Sequence, residues 1–424
     1  MVHSQGMRDV DLYAQILGVT APWKVTTVDL DSVQQKVVVH LVYNPKKALT
    51  CPECDKKAPG YDTRVRRWRH LDTCQFQTIL EAEVPRTNCP THGVHQIHVP
   101  WSEPNSRFTA LFEALVIDWL QEASISAVAR LCNLSWDAVD GIMSRAVARG
   151  LARQTKEDLL FIGVDETSFQ KRHEYVTVVS CLARGRVLYV ADGHYKKALA
   201  GFYKGYSEED LEKLEVVAMD MWKPYIMATR EHVPSADSKI AFDRYHVAAH
   251  LNKAVDKVRR SEHRKLLEND DQRLTKTKYL WLQNPENMKA ERRVEFSALK
   301  ASALKTARAW AIKQAARDLW EYQTEGWARR GWLRWYGWAI RSRLEPVKHV
   351  ARMVKTHLQG IITAVITYTT NAMSEGLNSV IQMLKKRACG FRNRERFRNA
   401  IYFHLGDLDL YPKALAAKAG DSAE

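Results

Sequence analysis

Three acidic side chains stand where regular elements begin or end. The run Phe161-Ile162-Gly163-Val164 ends on Asp165, the run Val216-Val217-Ala218-Met219 ends on Asp220, and Glu375 lies near the start of a helical pattern opening at Asn371. Both runs are short and lack a helical period, as expected of strands buried on both faces. A carboxylate at such a strand end is partly stripped of water, so it must be hydrogen-bonded, paired or metal-bound. Alone, Asp165 is equally well explained by a strand-end turn, which Asp favours. Three such carboxylates together can hold two divalent cations, magnesium or manganese, for phosphodiester chemistry.

The elements that must position them follow from the pattern between Leu159 and Asp243. Strands are predicted at Phe161–Val164, Tyr175–Leu182 and Arg186–Ala191, then a helix at Lys196–Tyr203. The Val216–Met219 strand, a helix near Pro224–Glu231 and a strand at Lys239–Phe242 complete the segment. This is the ribonuclease-H-like order, in which the first and fourth strands are neighbours in a mixed sheet. Asp165 and Asp220 then lie side by side, and two carboxylates that close repel unless cations lie between them. Further on, Ser374–Lys386 reads as a helix burying Leu377, Val380, Ile381 and Leu384. Its other side carries Glu375, Asn378 and Gln382, with Glu375 aimed at the sheet ends. Asp243, His246 and Asn378 are candidate supporting residues. Asp243 and His246 read equally well as a strand-end cap and a helix-face histidine.

A second chemistry is written near the start. Cys51-Pro52-Glu53-Cys54 and Cys89-Pro90-Thr91-His92 are paired two-residue-gap knuckles separated by strand-like sequence, the pattern of a zinc ribbon. Reduced packing cysteines are the alternative. Cys74, His95 and His98 are spare candidates, so the fourth ligand is less determined than the first three. Seven cysteines, an odd number, argue against a disulfide framework.

From Arg107 to Leu151 the period is helical. Phe108, Leu111, Phe112, Leu115, Val116 and Trp119 mark one helix, Ser124–Cys132 a short second, and Trp136–Arg149 a third with Ser135 as N-cap. Two helices across the Asn133-Leu134-Ser135 turn match the helix-turn-helix plan, with the third helix reading the major groove. Packing of three helices without DNA is the competing explanation.

The net charge of +15 is concentrated. Leu251–Gly360 carries an excess of 13 positive charges and Lys385–Arg398 an excess of 6, leaving the remainder at −4. Clustered positive charge is the footprint of a nucleic-acid partner, here double-stranded DNA. Candidate DNA contacts are Arg64, Arg66 and Arg67 on the ribbon, and Arg130 and Arg145 in the helix-turn-helix. Arg329, Arg330 and Arg334 in the basic helical stretch, and Lys385, Lys386, Arg387, Arg392 and Arg394 near the end, complete the set. The helical stretch also holds seven of the thirteen tryptophans, read as core for the most part with one or two facing DNA. No run approaches a membrane span and the first residues lack signal-peptide character, so a cytoplasmic protein is expected. The sequence divides into 1–100 (helix, hairpin and zinc ribbon), 101–155 (helix-turn-helix) and 156–248 (first part of the core). A basic all-helical insertion (249–365), the final core segment with the Glu375 helix (366–407) and a tail (408–424) follow.

Four stretches, G-V-D-E-T-S-F, A-M-D-M-W-K-P-Y, F-D-R-Y-H-V and T-N-A-M-S-E-G-L-N-S-V-I-Q-M-L-K-K-R-A-C-G-F-R-N, resemble the DDE transposases of the ISL-three group of bacterial insertion sequences. The resemblance covers nearly the whole chain, with a zinc ribbon and helix-turn-helix in the same order. It implies a multidomain α+β protein: zinc ribbon, helix-turn-helix, and a ribonuclease-H-like α/β core interrupted by a helical insertion. It implies Asp165, Asp220 and Glu375 as a DDE triad holding two magnesium ions, and Asp243 with His246 as a D-x-x-H signature. It implies end binding, cleavage and strand transfer, with at least a homodimer in the DNA complex. The family's ribbon generally ends in a second C-x-x-C, where this chain has His92. Two other classes remain: a sequence-specific DNA-binding regulator with an inactive nuclease-like fold, disfavoured by the intact acidic positions, and a nuclease without strand transfer.

Overall fold

The computed structural model describes residues 8–413 apart from 45, 157, 171–173, 303, 370 and 371. The sequence expectations for the first residues, for Asn371 as helix opener and for the tail beyond 413 lie outside the described residues. The chain forms two compact units. One comprises residues up to 155 with 402–404 and the segment from 408; the other comprises 156–401 with 405–407. Among the described residues no helix is long and apolar enough to cross a membrane.

The first unit begins with helix α1 (Asp9–Ile16) and a hairpin of β1 (Trp23–Asp31) and β2 (Lys36–Tyr43). Strands β3 (Gly60–Arg69), β4 (Gln77–Cys89) and β5 (Gly93–Gln96) complete a mixed sheet of order β1-β2-β4-β3, with β5 on the end of β4. Alternation along β2 and β4 puts Val37, Val39, Leu41, Leu80, Ala82 and Val84 into one buried face with Trp23, Trp68 and Trp101. Helices α2 (Ala110–Glu122), α3 (Ile125–Leu131) and α4 (Trp136–Arg153) follow. Each is N-capped by a hydroxyl: Thr109 accepts from Phe112 N, Ser124 from Ala127 N and Ser135 from Ala138 N. The turn between α3 and α4 uses Asn133 at φ 51°, a conformation Asn tolerates. Phe112, Val116, Leu120, Val128, Val139, Ile142 and Val147 form the core of this trio.

The second unit is built on a five-stranded mixed sheet of order β10-β9-β6-β7-β8. Strands β6 (Phe161–Gln170), β7 (Glu174–Cys181) and β8 (Arg186–Asp192) form an antiparallel meander. After helices α5 (Lys196–Tyr203) and α6 (Glu208–Glu212), β9 (Val216–Met219) pairs parallel with β6. Helices α7 (Lys223–His232) and α8 (Ala236–Lys239) lead to β10 (Ile240–Phe242), which pairs parallel with β9. All four residues of β9 are buried, which explains its uninterrupted apolar run.

Helices α9 (Arg244–Leu267), α10 (Lys278–Leu282), α11 (Ala290–Ala301), α12 (Lys305–Asp318), α13 (Glu325–Ile340), α14 (Glu345–Thr356) and α15 (Leu358–Ile366) follow. Their apolar faces join the sheet's core in one continuous cluster. Trp281, Trp320, Trp332 and Trp335 are buried in it, as read from their helical spacing, whereas Trp327 and Trp338 are exposed. Helix α16 (Ala372–Arg387) then returns to β6, and α17 (Arg394–Leu405) follows.

Candidate active site and metal centre

Strand register determines where the first two carboxylates fall. The parallel β6–β9 pairing ends at Val164 opposite Met219, so Asp165 and Asp220 are the next residues on adjacent strands, about 4.8 Å apart between strand axes. One expectation needs correction: Asp165 does not end its strand. Antiparallel pairing with β7 carries β6 on to Gln170, and it is the parallel partner β9 that stops. Asp165 therefore sits inside a strand, at the point where one neighbour has been withdrawn.

That position explains its electrostatics. Burial pushes the Asp165 carboxyl up from the ordinary 3.8 to about 6. The Glu166 N–H and His246 work against the shift, while Glu166 and Asp220 add to it. Oδ1 accepts from Glu166 N at 2.8 Å and Oδ2 from the Asn378 amide at 2.7 Å. Burial likewise raises Glu166, with His194 and His246 opposing and Asp220 reinforcing. Asp220 accepts from Met221 N at 2.5 Å and lies 3.5 Å from His246 Nδ1.

Asp243 and His246 stand at the start of α9, beside the acids. Asp243 is 5% exposed and caps α9, its Oδ1 accepting from Tyr245 N at 3.0 Å. His246, one turn along, stands 4.0 Å from Asp243 Oδ2 and so links that carboxylate to Asp220. Burial raises the Asp243 carboxyl as well.

Helix α16 is laid against β6 by a ladder of polar contacts. Asn378 reaches Asp165, Gln382 donates to Thr167 Oγ1 at 2.8 Å, and Lys385 Nζ donates to Ser168 O at 2.5 Å. The approach is close because β6 has no side chain at Gly163: a Cβ there would lie 2.3 Å from Ser374 Oγ. Glu375 is exposed in the first turn of this helix. Asp165, Asp220 and Glu375 do not form a set with all ligand atoms within 4.8 Å of one another; among the described residues only the cysteine–histidine cluster does.

Beside the acids lies an aromatic group without a motif of its own. His194 stacks on Tyr195 (5.1 Å between centroids) and meets Tyr175 edge-on (5.0 Å), and its carbonyl accepts from Trp222 Nε1 at 3.0 Å. Tyr195 and Trp222 remain exposed. The only sequence hint was adjacency: Glu166 follows Asp165, and Trp222 lies two residues after Asp220.

In the first unit, Cys51, Cys54, Cys89 and His92 converge with all ligand atoms within 4.8 Å of one another. Cys51 Sγ–His92 Nδ1 is 3.7 Å, Cys89 Sγ–His92 Nδ1 3.6 Å and Cys54 Sγ–Cys89 Sγ 3.9 Å. A tetrahedral zinc separates sulfur and nitrogen ligands by roughly 3.5–3.8 Å, so the cluster fits a structural zinc. The His92 and Thr91 N–H groups draw the Cys89 thiol down to about 6, favouring the thiolate a metal requires. The spare candidates are elsewhere: Cys74 is exposed, His95 bonds His92 O, and His98 bonds Pro52 O.

The basic residues divide by what holds them. Arg64 is exposed and Arg66 half-buried, and both line a recess of about 290 Å³ with His95 and His98. Arg67 pairs with Glu81 at 2.5 Å, and Arg130 is exposed. Arg145 is instead committed to Glu113 at 2.5 Å, a carboxylate 1% exposed that also takes Arg149 at 3.0 Å. Arg329 is held by Glu325 and Gln359, and Arg330 stacks over Trp327 at 4.1 Å. Arg334, Lys386 and Arg392 are exposed, Arg387 is exposed but has an interaction of its own, and Arg394 pairs with Glu174 at 3.2 Å.

A chain with this order of parts is a transposase of the DDE class. The family described as "Transposase" matches residues 162–401, the helix-turn-helix domain of transposase family ISL3 matches 97–147, and the zinc finger of transposases IS204/IS1001/IS1096/IS1165 matches 47–92. The chain belongs to the ISL3 group of DDE transposases. It is 28% identical over 418 residues to the transposase for insertion sequence element IS1557 of Mycobacterium tuberculosis, covering 91% of this chain and 93% of the relative. It is 25% identical over 356 residues to the transposase for IS1001 of Bordetella parapertussis, covering 83% and 87%.

Proposed function

We propose that this transposase binds the terminal inverted repeats of its insertion sequence, cleaves the ends, and joins the freed 3′-hydroxyl to target DNA. The observation that carries the reading is the convergence of three distant segments. Register sets Asp165 beside Asp220, and Asn378 ties the helix bearing Glu375 to Asp165. The strand order β10-β9-β6-β7-β8 supports a ribonuclease-H-like core, with α9–α15 as a helical insertion.

Asp165, Asp220 and Glu375 are the residues that would hold two magnesium or manganese ions. The donors fit hard cations: all are oxygens, and Asn378 Oδ1 and Asp243 Oδ2 are buried acceptors without a hydrogen-bond partner among the described residues. Such ions, when bound, make water or a 3′-hydroxyl nucleophilic and stabilise the leaving oxygen. Asn378 fixes the rotamer of Asp165, and His246 holds Asp220 in place from α9. Arg64, Arg66, Arg130, Arg334, Lys386 and Arg392 contact phosphates. Cleavage of two ends requires two such sites, hence at least a homodimer on DNA.

The test is Asp165→Asn, assayed for end binding by gel shift and for nicking of the same labelled duplex. Retained binding with lost nicking is expected. Loss of both in a variant that melts no lower than wild type would contradict a catalytic role for Asp165.

A further inference from the structure

Helix α9 leaves the acidic site with two different faces. Val247, Leu251, Ala254, Val255 and Val258 are buried in the core. His246, His250, Lys253 and Lys257, spaced four, three and four residues apart, form a second stripe within about 60° of the helix circumference. The stripe starts at the histidine that touches Asp220 and runs about 16 Å, the axial length over which one strand of duplex DNA carries about five phosphates.

Helix α14 supplies the opposite wall. His349 and Arg352 face the α9 stripe across a cleft of about 400 Å³, with Glu345 the only acid on its walls. Glu345 is already engaged by Lys348, with Arg352 4.0 Å away. Lys253 and Lys257 are exposed and have no ion-pair partner among the described residues. The next cations on the same helix contrast with them: Arg259 and Arg260 are both held by Asp256, at 2.8 and 3.0 Å. Burial lowers His250, and Lys253, His246 and His349 push it further down against the opposing pull of Asp220. Lys253, Lys257 and Arg352 crowd one groove with a single acid among its walls, an arrangement that an anionic chain relieves.

We propose that the α9–α14 groove carries the phosphate backbone of the DNA flanking the bond to be cut, leading it along His250, Lys253 and Lys257 to the Asp165–Asp220 site. This rests on the DNA-cleaving reading above. Lysine and histidine grip phosphate without base contacts, so the groove serves any flanking sequence.

The test compares Lys253→Gln/Lys257→Gln with wild type and with a charge-matched control, Lys204→Gln/Lys213→Gln. Affinity of the full chain for an end-bearing duplex extended by flanking DNA is measured across a salt series, with melting temperature confirming the fold. Two lost phosphate contacts lower the log–log salt slope by about 1.8, and end nicking at moderate salt falls, while the control leaves both unchanged. An unchanged slope with unchanged nicking overturns the proposal, as it would if the groove held an acidic polypeptide; so does an equal effect of the control. Failure of wild type to nick at all would instead sink the underlying reading.

Discussion

The side-chain amide of Asn378 donates to Oδ2 of Asp165 at 2.7 Å, joining a helix and a strand that lie 213 residues apart in sequence. A hydrogen bond to a charged acceptor contributes about 1.5–3 kcal/mol. Asn378→Ala is therefore expected to slow end nicking by roughly 10- to 100-fold while leaving duplex affinity within about twofold. Single-turnover nicking beside a binding titration checks it. A parallel fall in affinity would mean that α16 binds DNA rather than positions Asp165.

Gly163 permits that approach. A Cβ at this position would lie 2.3 Å from Ser374 Oγ and 2.8 Å from Leu182 Cδ2, and overpacking of this kind costs about 1–3 kcal/mol. Gly163→Ala is expected to lower the melting temperature and to depress nicking more than Asn378→Ala does, because the whole helix must shift.

The raised carboxyl of Asp165 predicts a pH-dependent stability effect. Its folded value of about 6 lies above the ordinary 3.8, so the folded protein binds the extra proton. Below about pH 4 the carboxyl is protonated in both states and carries no penalty. The stability contributed by that proton is lost as pH rises through 6, leaving the native state roughly 3 kcal/mol less stable at neutral pH. In chelator, Asp165→Asn should thus melt a few degrees higher than wild type at pH 8, and the gap should close by pH 4. Added magnesium should raise the wild-type melting temperature and leave the variant unmoved. Identical melting at all pH values would remove the buried charge from the account.

Glu113 is buried between Arg145 and Arg149 and accepts from Ser106 at 2.8 Å. Removing one partner of such a cluster leaves uncompensated charge and costs about 3–5 kcal/mol. Glu113→Ala should therefore unfold the helix trio at markedly lower temperature. Arg145→Ala should lower stability too, which separates Arg145 from residues whose loss weakens only DNA affinity.

For the metal centre, the purified protein should contain one zinc per chain by atomic absorption. His92→Cys should retain it and His92→Ala should lose it, with a loss of ordered structure that chelation of the wild type reproduces. Zinc retained by His92→Ala would return His95 or His98 to consideration.

What the sequence disclosed depended on how local the cause was. The apolar run of β9 and the Ser135 cap act within a few residues and could be read directly. The pairing of Asp165 with Asp220 required only the strand order. The continuation of β6 past Asp165 could not be read, because Glu166–Ser168 is polar and is held in the strand by pairing with β7. The pairing of Arg145 with Glu113 could not be read, because the two lie 32 residues apart on different helices. The choice of His92 over His95 and His98 likewise came from backbone turns that bring only one imidazole to the three sulfurs.

Glu375, on the helix tied to Asp165, is proposed to complete a metal-dependent nuclease. The most direct measurement is cleavage of a labelled duplex carrying the element's own end, with and without magnesium, for wild type and Glu375→Ala. Magnesium-dependent nicking at the end, abolished in the variant while binding persists, is the result expected. Tight binding by the wild type with no cut under any divalent metal would contradict it and leave a DNA-binding protein on a retired nuclease fold.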